Sequence, residues 1–545
     1  MKYASKIVFH ISLLFLFFPI AIFAQVAKTK AAPNILIILA DDMGYSDIGC
    51  MGGDAETPNL DSLAKDGILY TNFYNNAKCA PTRASLMTGQ SPQRTGANHG
   101  AGNVTRGAMT IAEAFKGDYT TLMVGKWHIK PEPLQMGFQR YFGAGLSAIH
   151  WWPTDDKQVR DIQLDGRTYT EKDMAVPIEK WYMETEHANF AMQFLQEEVI
   201  NKGTTKPFLM YYASHLPHWP LQAPRTDVER YLNLYKTGTD AARQRRYDRM
   251  VTLGIINPKT CSLSPIDEKS KSWESLSKEE KEYYQQAMAV HTAMVYRLDL
   301  ELGRLFDYLK KNNLFDNTAI FFMSDNGASA ESVPATLPIG IQMGERGTEK
   351  RINDIGAAVC NTPFRGHKST LYEGGIGTPM IFHWIKGIGT PGTLSKQVGA
   401  VIDIFPTVLD LANLHYPAEY NGRKLNLLDG QSLLPQIKKA PIVERKLSWN
   451  YEKFAVEIQG NWKALRLTPK GKEASAAWQL YDLAKDRTET KDLASTHPEL
   501  LQTMVKNWEG WYQEVSKGND SNSVEKEEKD KKDKKEKGFR KEKAQ

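Results

Sequence analysis

The chain has 545 residues, of which 41% are hydrophobic and 24% charged, and a formal net charge of +5 at pH 7. This length and apolar content are enough for one large globular domain plus a smaller one, and they exclude a disordered scaffold. The cysteines, Cys50, Cys79, Cys261 and Cys360, are too few and too scattered for a disulfide framework, and no pair has the close spacing of a zinc site.

The N-terminal segment has the pattern of a cleavable secretory signal. Lys2 and Lys6 accompany an apolar run that ends at Ala24. We therefore expect residues 1–24 to be removed and the mature protein to be exported, either to the periplasm or as a secreted protein. A transmembrane anchor is the alternative, but the run is shorter than the ~20 residues that a span needs. No cysteine follows it for lipid attachment, so we expect no stable membrane anchor.

Short apolar runs alternate with longer amphipathic stretches over most of the chain, which predicts an α/β fold with a mostly parallel sheet flanked by helices. The expected strands are Ile35–Ala40, Thr121–Val124, Phe208–Ala213, Ala319–Met323 and Pro379–His383. Two helices are expected: one that starts at Thr57-Pro58, as N-cap and first turn, and stops at Gly67, and a long one over Lys278–Asn312.

After about residue 440 the pattern changes to short strands separated by turns. It predicts a smaller C-terminal antiparallel sheet plus one helix, with strands Lys446–Tyr451, Phe454–Gln459, Trp462–Leu467 and Trp478–Tyr481 and a helix over His497–Val515. The expected domains are thus 33–440 and 441–516, followed by a charged disordered tail over 517–545. Glu and Asp are interleaved with the lysines of this tail, which argues against nucleic-acid binding.

Two predicted strands lead directly into oxygen-bearing side chains. Asp41 and Asp42 follow the first strand, and Asp325 and Asn326 come just after the strand that ends near Met323. Because ligands of open α/β sheets bind at the carboxyl ends of strands, we expect these residues to share one hard cation, Ca²⁺ or Mg²⁺ rather than zinc. Ordinary turn residues after strands are the alternative reading.

The most specific motif is the segment Cys79-Ala-Pro-Thr-Arg-Ala-Ser-Leu-Met-Thr-Gly89. Pro81 suits the first turn of a helix, so Cys79 should lie at a helix N-terminus, where backbone N–H groups favour an anion. The segment resembles the C-x-P-[ST]-R signature of the sulfatase family, and the loop around His218 resembles that of the family's bacterial arylsulfatase branch. The resemblance implies that a formylglycine-generating enzyme oxidises Cys79 to formylglycine, which becomes the nucleophile of a sulfuric ester hydrolase.

The resemblance also implies an alkaline-phosphatase-like fold, a catalytic domain within 33–440, and Ca²⁺ in preference to Mg²⁺, with residue 79 among the metal ligands. Hydrated formylglycine is a geminal diol: one hydroxyl attacks sulfur and expels the alcohol, and the second allows sulfate to be eliminated. Arg83, one helical turn further on, would stabilise the diol oxyanion.

Further family positions are occupied in chain order. Lys126 is expected to contact the diol and sulfate, and His128 to be the base for sulfate elimination; the two share one side if the chain is extended there. His218, in a Pro-His-x-Pro-Leu loop, matches the active-site histidine and would act, when protonated, as the general acid, and Lys368 matches the sulfate ligand. The neighbouring His215 and His367 match no family role.

Alternatives remain open. A phosphodiesterase, phosphomonoesterase or phosphonate monoester hydrolase of the same superfamily would share the metal site, and a non-catalytic protein that binds sulfated ligands would leave Cys79 unmodified. The substrate is expected to be an aryl sulfate or a sulfated saccharide. Several tryptophans either line an aromatic mouth or belong to the core: Trp127, Trp151, Trp152, Trp181 and Trp219.

Overall fold

The structure is a computed structural model that describes residues 32–517, apart from gaps at 99–101, 105–106, 267–270, 337–341, 389–390, 441–443 and 469–475. The expected signal segment and nearly all of the expected charged tail lie outside the described residues. Within the described residues, no helix is both long and apolar enough to cross a membrane.

A large mixed sheet forms the centre of the fold. Its strands in chain order are β1 (Asn34–Ala40), β2 (Ile68–Tyr74), β3 (Thr120–Gly125), β4 (Arg140–Ala144), β5 (Ile162–Leu164), β6 (Arg167–Thr168), β7 (Phe208–Ala213), β8 (Thr318–Ser324), β9 (Gly377–His383), β10 (Thr393–Ser395) and β11 (Gly399–Ala400). The spatial order is β10-β2-β9-β8-β1-β7-β3-β4-β5-β6, with β11 paired to β2.

The middle strands β8, β1, β7, β3 and β4 are all parallel. Strand β9 is antiparallel to both β8 and β2, and the hairpin of β5 and β6 continues the sheet beyond β4. All side chains of β1 and β8 are buried, as is typical of a parallel sheet with both faces covered. The predicted α/β architecture with a mostly parallel sheet is therefore confirmed.

Helices connect and cover these strands. They are α1 (Pro58–Lys65), α2 (Cys79–Thr88), α3 (Pro92–Thr95), α4 (Ile111–Phe115), α5 (Asp156–Asp161), α6 (Met183–Leu195), α7 (Arg225–Glu229), α8 (Thr239–Thr252), α9 (Lys278–Lys311), α10 (Asn353–Cys360), α11 (Glu373–Ile376), α12 (Ile404–Ala412), α13 (Leu434–Ile437) and α14 (Pro498–Val515). The long predicted helix, α9, starts where a Ser277–Glu280 capping box satisfies its first N–H groups. Thr57 precedes α1, but its hydroxyl binds Gly49 and Asp61 instead of capping the helix.

The predicted C-terminal antiparallel sheet is confirmed. Strands β14 (Lys446–Tyr451), β15 (Phe454–Gln459), β16 (Trp462–Leu467) and β17 (Trp478–Asp482) pair in sequence order, and α14 packs on them. A separate two-stranded hairpin is formed by β12 (Glu419–Tyr420) and β13 (Arg423–Lys424). Side chains of this sheet share one hydrophobic cluster with Tyr74, Leu371 and Ile376 of the larger part. The domain boundary at residue 440 stays a prediction.

A buried ion network also joins the two sheets. Lys463 of β16 is fully buried and lies 3.0 Å from Glu373 and 2.8 Å from Glu489. Arg487 lies 3.3 Å from Glu373 and donates to the carbonyl of Thr71 in β2. Buried charges of this kind are tolerated only while each keeps a partner.

We expect Lys463→Met to lower the free energy of unfolding by ~3–5 kcal/mol, because it leaves two buried carboxylates without their shared cation. Denaturant unfolding followed by circular dichroism measures the change. Lys485→Met is the control, since Lys485 is exposed and its pairing with Asp482 contributes little. Equal unfolding midpoints for the two variants would contradict the assignment.

Candidate active site

The ends of two neighbouring strands bring the predicted metal ligands together. Parallel pairing places Ala40 of β1 opposite Ser324 of β8, so Asp41 and Asp42 emerge beside Asp325 and Asn326. The N–H of Asp325 donates to the carbonyl of Ala40 at 3.0 Å, and the N–H of Asp42 donates to Asp325 Oδ1 at 3.1 Å. Asp42 has a left-handed backbone, with φ of 61°, which turns the chain sharply after the strand.

Cys79 is the first residue of α2, as predicted, and faces these carboxylates. Its Sγ lies 3.3 Å from Asp41 Oδ1 and 3.7 Å from Asp42 Oδ1, and the residue is 1% exposed. Thr82 anchors the first turn by donating to the carbonyl of Asp325 at 2.6 Å. Burial, together with Asp325, raises the pKa of the thiol well above its usual value. The unmodified sulfur marks the position where the oxygens of a formylglycine would lie.

Each carboxylate has a buried cation close to it, and Asp41 has a second one, Arg83, at 3.7 Å. Lys126 Nζ lies 2.6 Å from Asp41 and Lys368 Nζ lies 2.8 Å from Asp42. Arg83 lies 2.9 Å from Asp325 and also donates to the carbonyl of Lys126 at 2.8 Å.

The pKa values of the carboxyl groups reflect this pairing. Burial alone would raise the pKa of Asp41, but the charges of Lys126 and Arg83 hold it well below its usual value. Asp325 differs: burial and the neighbouring charge of Asp41 raise its pKa to about 7, and Arg83 offsets this rise only in part.

The residues present fit a divalent cation. The Oδ1 atom of Asn326 is buried and has no hydrogen-bond partner, while its Nδ2 donates to Asp42 Oδ1 at 2.7 Å. An unpartnered amide oxygen beside carboxylates is a ready ligand for a hard metal ion. Potential ligand atoms of Asp41, Asp42, Cys79 and His218 also lie within 4.8 Å of one another.

His218 lies against both Lys368 and the carboxylates. Its Nε2 is 3.3 Å from Lys368 Nζ and 3.4 Å from Asp42 Oδ2, and its Nδ1 bonds to the carbonyl of Trp219. This arrangement assigns the proton to Nδ1 and the lone pair to Nε2. Burial lowers the pKa of His218 to about 3. The general-acid role expected of His218 stays a prediction, and it requires a proton on Nε2.

His128 is placed differently from the extended chain considered above. Its φ of 60° makes a turn, so Lys126 and His128 do not share a side through strand geometry. The His128 Nδ1 atom is buried without a partner, and burial together with Lys126 and Arg83 lowers its pKa to about 2. The imidazole is therefore neutral at rest, and the two cations oppose its protonation as long as no anion lies beside them.

Two histidines without a family role and two residues outside every motif also lie around the site. His215 binds the carbonyl of Ile149, and His367 binds the carbonyl of Lys368, so both histidines are held by backbone. Two supporting residues lay in no motif. Tyr211 OH is 3.4 Å from Arg83, and His150 Nε2 is 2.8 Å from the carbonyl of His218. Tyr211 lies inside the predicted strand Phe208–Ala213, where its neighbours in the sequence give no sign of a contact with Arg83.

The tryptophans separate into two groups. Trp127, Trp152 and Trp181 are at most 3% exposed and belong to the core. Trp151 and Trp219 are partly exposed, and the ring of Trp219 lies 4.9 Å from that of His218. Only these two members of the predicted aromatic mouth remain accessible.

The family model described as Sulfatase matches residues 33–414. The chain belongs to the sulfatase family. Members of this family generally use a metal ion and a formylglycine, which agrees with the buried group around Cys79. The relationship covers most of the described residues, from the start of β1 to beyond α12.

Two curated sulfatases are similar over most of their length. An uncharacterized sulfatase of Schizosaccharomyces pombe is 30% identical, with 89% of this chain and 94% of the relative covered. An arylsulfatase of Klebsiella aerogenes is 31% identical, with 71% and 88% covered. The solved structure of Ps i-CgsB in complex with k-i-k-neocarrahexaose has a TM-score of 0.64 and 26% identity, with 88% of this chain and 92% of that chain covered.

We expect Asn326→Leu to lower metal affinity at least ~10–100-fold, because loss of even a residue that only supports a ligand has an effect of this size. The variant removes the unpartnered oxygen itself. Calcium content after dialysis at limiting Ca²⁺ measures this without reference to activity, and circular dichroism checks the fold.

The control is a second buried group that could hold an ion, formed by Asp47, His291 and Cys360. The Asp47 oxygens are already held by Arg246 at 2.7 Å and by His291 at 3.0 Å. His291→Gln should leave calcium content unchanged. Loss of calcium in this variant, with retention in Asn326→Leu, would place the ion elsewhere.

Proposed function

We propose that the protein hydrolyses sulfate monoesters to an alcohol and inorganic sulfate, with residue 79 as the nucleophile after its conversion to formylglycine. One observation carries the proposal: the side chain of Cys79 is buried at a helix N-terminus, against two aspartates, with two lysine ammonium groups on the same aspartates. Membership in the sulfatase family supports the same reaction.

The metal would be held by Asp41, Asp42, Asp325 and Asn326, together with residue 79. All-oxygen ligation from carboxylates and an amide favours Ca²⁺, with Mg²⁺ as the less suitable alternative. When bound, this ion supplies Lewis acidity to the nucleophilic oxygen and neutralises the carboxylates. Lys126 and Lys368 are then available to the sulfate oxygens.

Hydrated formylglycine supplies two hydroxyl groups, one to form the bond to sulfur and one whose deprotonation allows sulfate to leave with return of the aldehyde. Bond formation to sulfur accompanies cleavage of the bond between sulfur and the alcohol oxygen. That oxygen needs a proton as it departs. His218 would deliver it from Nε2 after taking up a proton from solvent as the anionic ester binds, since Nδ1 is committed to the carbonyl of Trp219.

His128 is the proposed base for the second half of the reaction. The imidazole is neutral and its unpartnered Nδ1 is buried beside Lys126 and Arg83, and the negative charge of the bound sulfate would offset these cations when the ring takes up a proton. Arg83 is held by Asp325 and by the carbonyl of Lys126, so it fixes the carboxylates and α2 relative to one another, while its buried Nε has no hydrogen-bond partner. Stabilisation of the diol oxyanion is the further role proposed for it.

The proposed substrate is an aryl sulfate or a sulfated saccharide. Phosphate and phosphonate esters are the competing class, since a metal with carboxylate ligands serves both chemistries. Elimination of sulfate from a hydrated aldehyde favours the sulfate ester, because the second hydroxyl gives the covalent adduct a direct route back to aldehyde. A silent sulfate-binding protein would not need this buried nucleophile position.

Maturation requires a formylglycine-generating enzyme acting on the segment around Cys79, and export of the chain to the periplasm or medium follows from the expected signal segment. Both are proposals from the sequence.

Matured protein should hydrolyse an aryl sulfate with kcat/KM more than about tenfold above that for the phosphate of the same phenol, a difference of ~1.4 kcal/mol in transition-state stabilisation. Mass spectrometry of the peptide around position 79 defines the formylglycine content of each preparation. Cys79→Ala is the control and should lose both activities. A clear preference for phosphate would overturn the function, and full activity with an intact thiol would overturn the nucleophile.

His218→Ala should reduce kcat/KM by ~10²–10⁴-fold for sulfates of poorly acidic alcohols and far less for sulfates of acidic phenols, which leave without a proton. A series of sulfate esters measured on the wild type and the variant gives, for each protein, the slope of log kcat/KM against the pKa of the departing alcohol. His367→Ala is a matched control with a histidine held by backbone. Parallel slopes for wild type and His218→Ala would remove the general-acid role.

A further inference from the structure

Outside the buried site, a series of side-chain contacts connects the neighbour of Cys79 with the neighbour of His218. We call Lys78, Trp219, Glu331 and Arg351 the rim. Lys78 directly precedes Cys79, and Trp219 directly follows His218. Glu331 lies 3.7 Å from Lys78 Nζ and 3.3 Å from Arg351, and the Arg351 guanidinium lies 3.7 Å from the centre of the Trp219 ring. The rim therefore runs without interruption from the nucleophile to the proposed general acid.

Exposure separates the rim from the catalytic residues. The side chains of Lys78, Glu331 and Arg351 are 31%, 37% and 24% exposed, whereas Cys79 is 1% exposed. Trp219 is also partly exposed. The sulfate group has to enter the buried site, so the alcohol part of the ester has to lie where the protein becomes accessible. The rim is the accessible structure adjacent to both Cys79 and His218.

The rim carries more positive than negative charge and has spare donors. Two cations, Lys78 and Arg351, share the single carboxylate of Glu331. Arg351 Nε and Trp219 Nε1 are buried without hydrogen-bond partners. Lys78 has one further contact, 3.4 Å from Ser369 Oγ, on the Lys368 side of the site. An oxygen-rich anion would satisfy these groups better than a neutral alcohol.

The stacking of Arg351 argues against a neutral sugar as the preferred occupant. Sugars commonly use an open aromatic face, but the guanidinium already covers one face of Trp219 at 3.7 Å. The accessible chemistry at this position is then that of a guanidinium, which recognises carboxylates and sulfates.

We propose that the rim binds the alcohol part of the substrate and selects sulfate esters of saccharides that carry a second anionic group, a carboxylate or another sulfate, near the scissile ester. This inference rests on the proposed sulfatase function and names its substrate class. Lys78 and Arg351 attract the second anion, and Glu331 limits that attraction.

The test compares kcat/KM for a sulfated monosaccharide with that for the matching sulfated disaccharide bearing a uronate, at low and high salt. The wild type should prefer the anionic disaccharide, and the preference should fall with salt. Arg351→Met should reduce the preference about tenfold, as loss of a charge-assisted contact does. Glu331→Gln should increase the preference for the anionic disaccharide, because it removes the negative charge of the rim.

Two further variants make the result decisive. Arg351→Lys keeps the charge and should retain most of the preference, even if Arg351→Met fails to fold. Lys202→Met is the matched surface control. Lys202 pairs with Glu198 and precedes the N-terminal end of β7, whereas His218 follows the C-terminal end of that strand. Both substrates should react with this variant as with the wild type.

The role of the rim would be overturned if Arg351→Met and Glu331→Gln left the ratio of the two kcat/KM values unchanged. It would also be overturned if the wild type preferred the sulfated monosaccharide to the disaccharide bearing the uronate. Hydrolysis of a neutral aryl sulfate by the wild type separates this failure from failure of the proposed function. Aryl sulfate turnover with an unchanged ratio refutes only the rim, whereas no sulfate hydrolysis by protein with full formylglycine content refutes the function.

Discussion

Neutralisation of buried negative charge is the constraint on which the site depends. Asp41, Asp42 and Asp325 have at most 2% exposure, and uncompensated carboxylates at such positions would not stay ionised. The protein brings one cation to each of them, and the three cations come from α2, the end of β3 and the loop before α11. Charge pairing therefore ties together segments that are far apart in sequence, and the sheet topology makes the pairing possible.

The same pairing limits what loss of a lysine can reveal. Lys126 and Lys368 hold the carboxylates in place and are also the groups proposed to bind sulfate. Removing either one would leave a buried carboxylate without its partner, so stability and sulfate binding would change together. Roles at this site are better separated by changes that keep charge constant, such as replacement of the neutral Asn326, whose oxygen has no hydrogen-bond partner and is a proposed metal ligand.

Local sequence signals predicted the parts of the structure that local physics decides. Apolar runs followed by Asp41 and Asp325 located the strand ends, and alternation with turns located β14, β15 and β16 to the residue. Signals of this kind could not give the partners of Arg83, the left-handed turn at His128 or the resting state of His218. Those features depend on contacts between segments that are distant in sequence. The contact between Arg351 and Trp219 is of the same kind, because neither residue's surroundings in the sequence indicate the other.

The separation of buried and accessible groups also bears on how relatives with a common mechanism can differ in substrate. In the proposed reaction the buried residues contact the sulfate group, which is identical in every sulfate ester, so they cannot distinguish one alcohol from another. Discrimination has to come from side chains that reach the alcohol. Lys78 and Arg351 pair with Glu331 rather than with the buried aspartates, so their substitution leaves the charge balance of the catalytic residues intact. The rim can therefore vary in sequence while the chemistry beneath it stays the same.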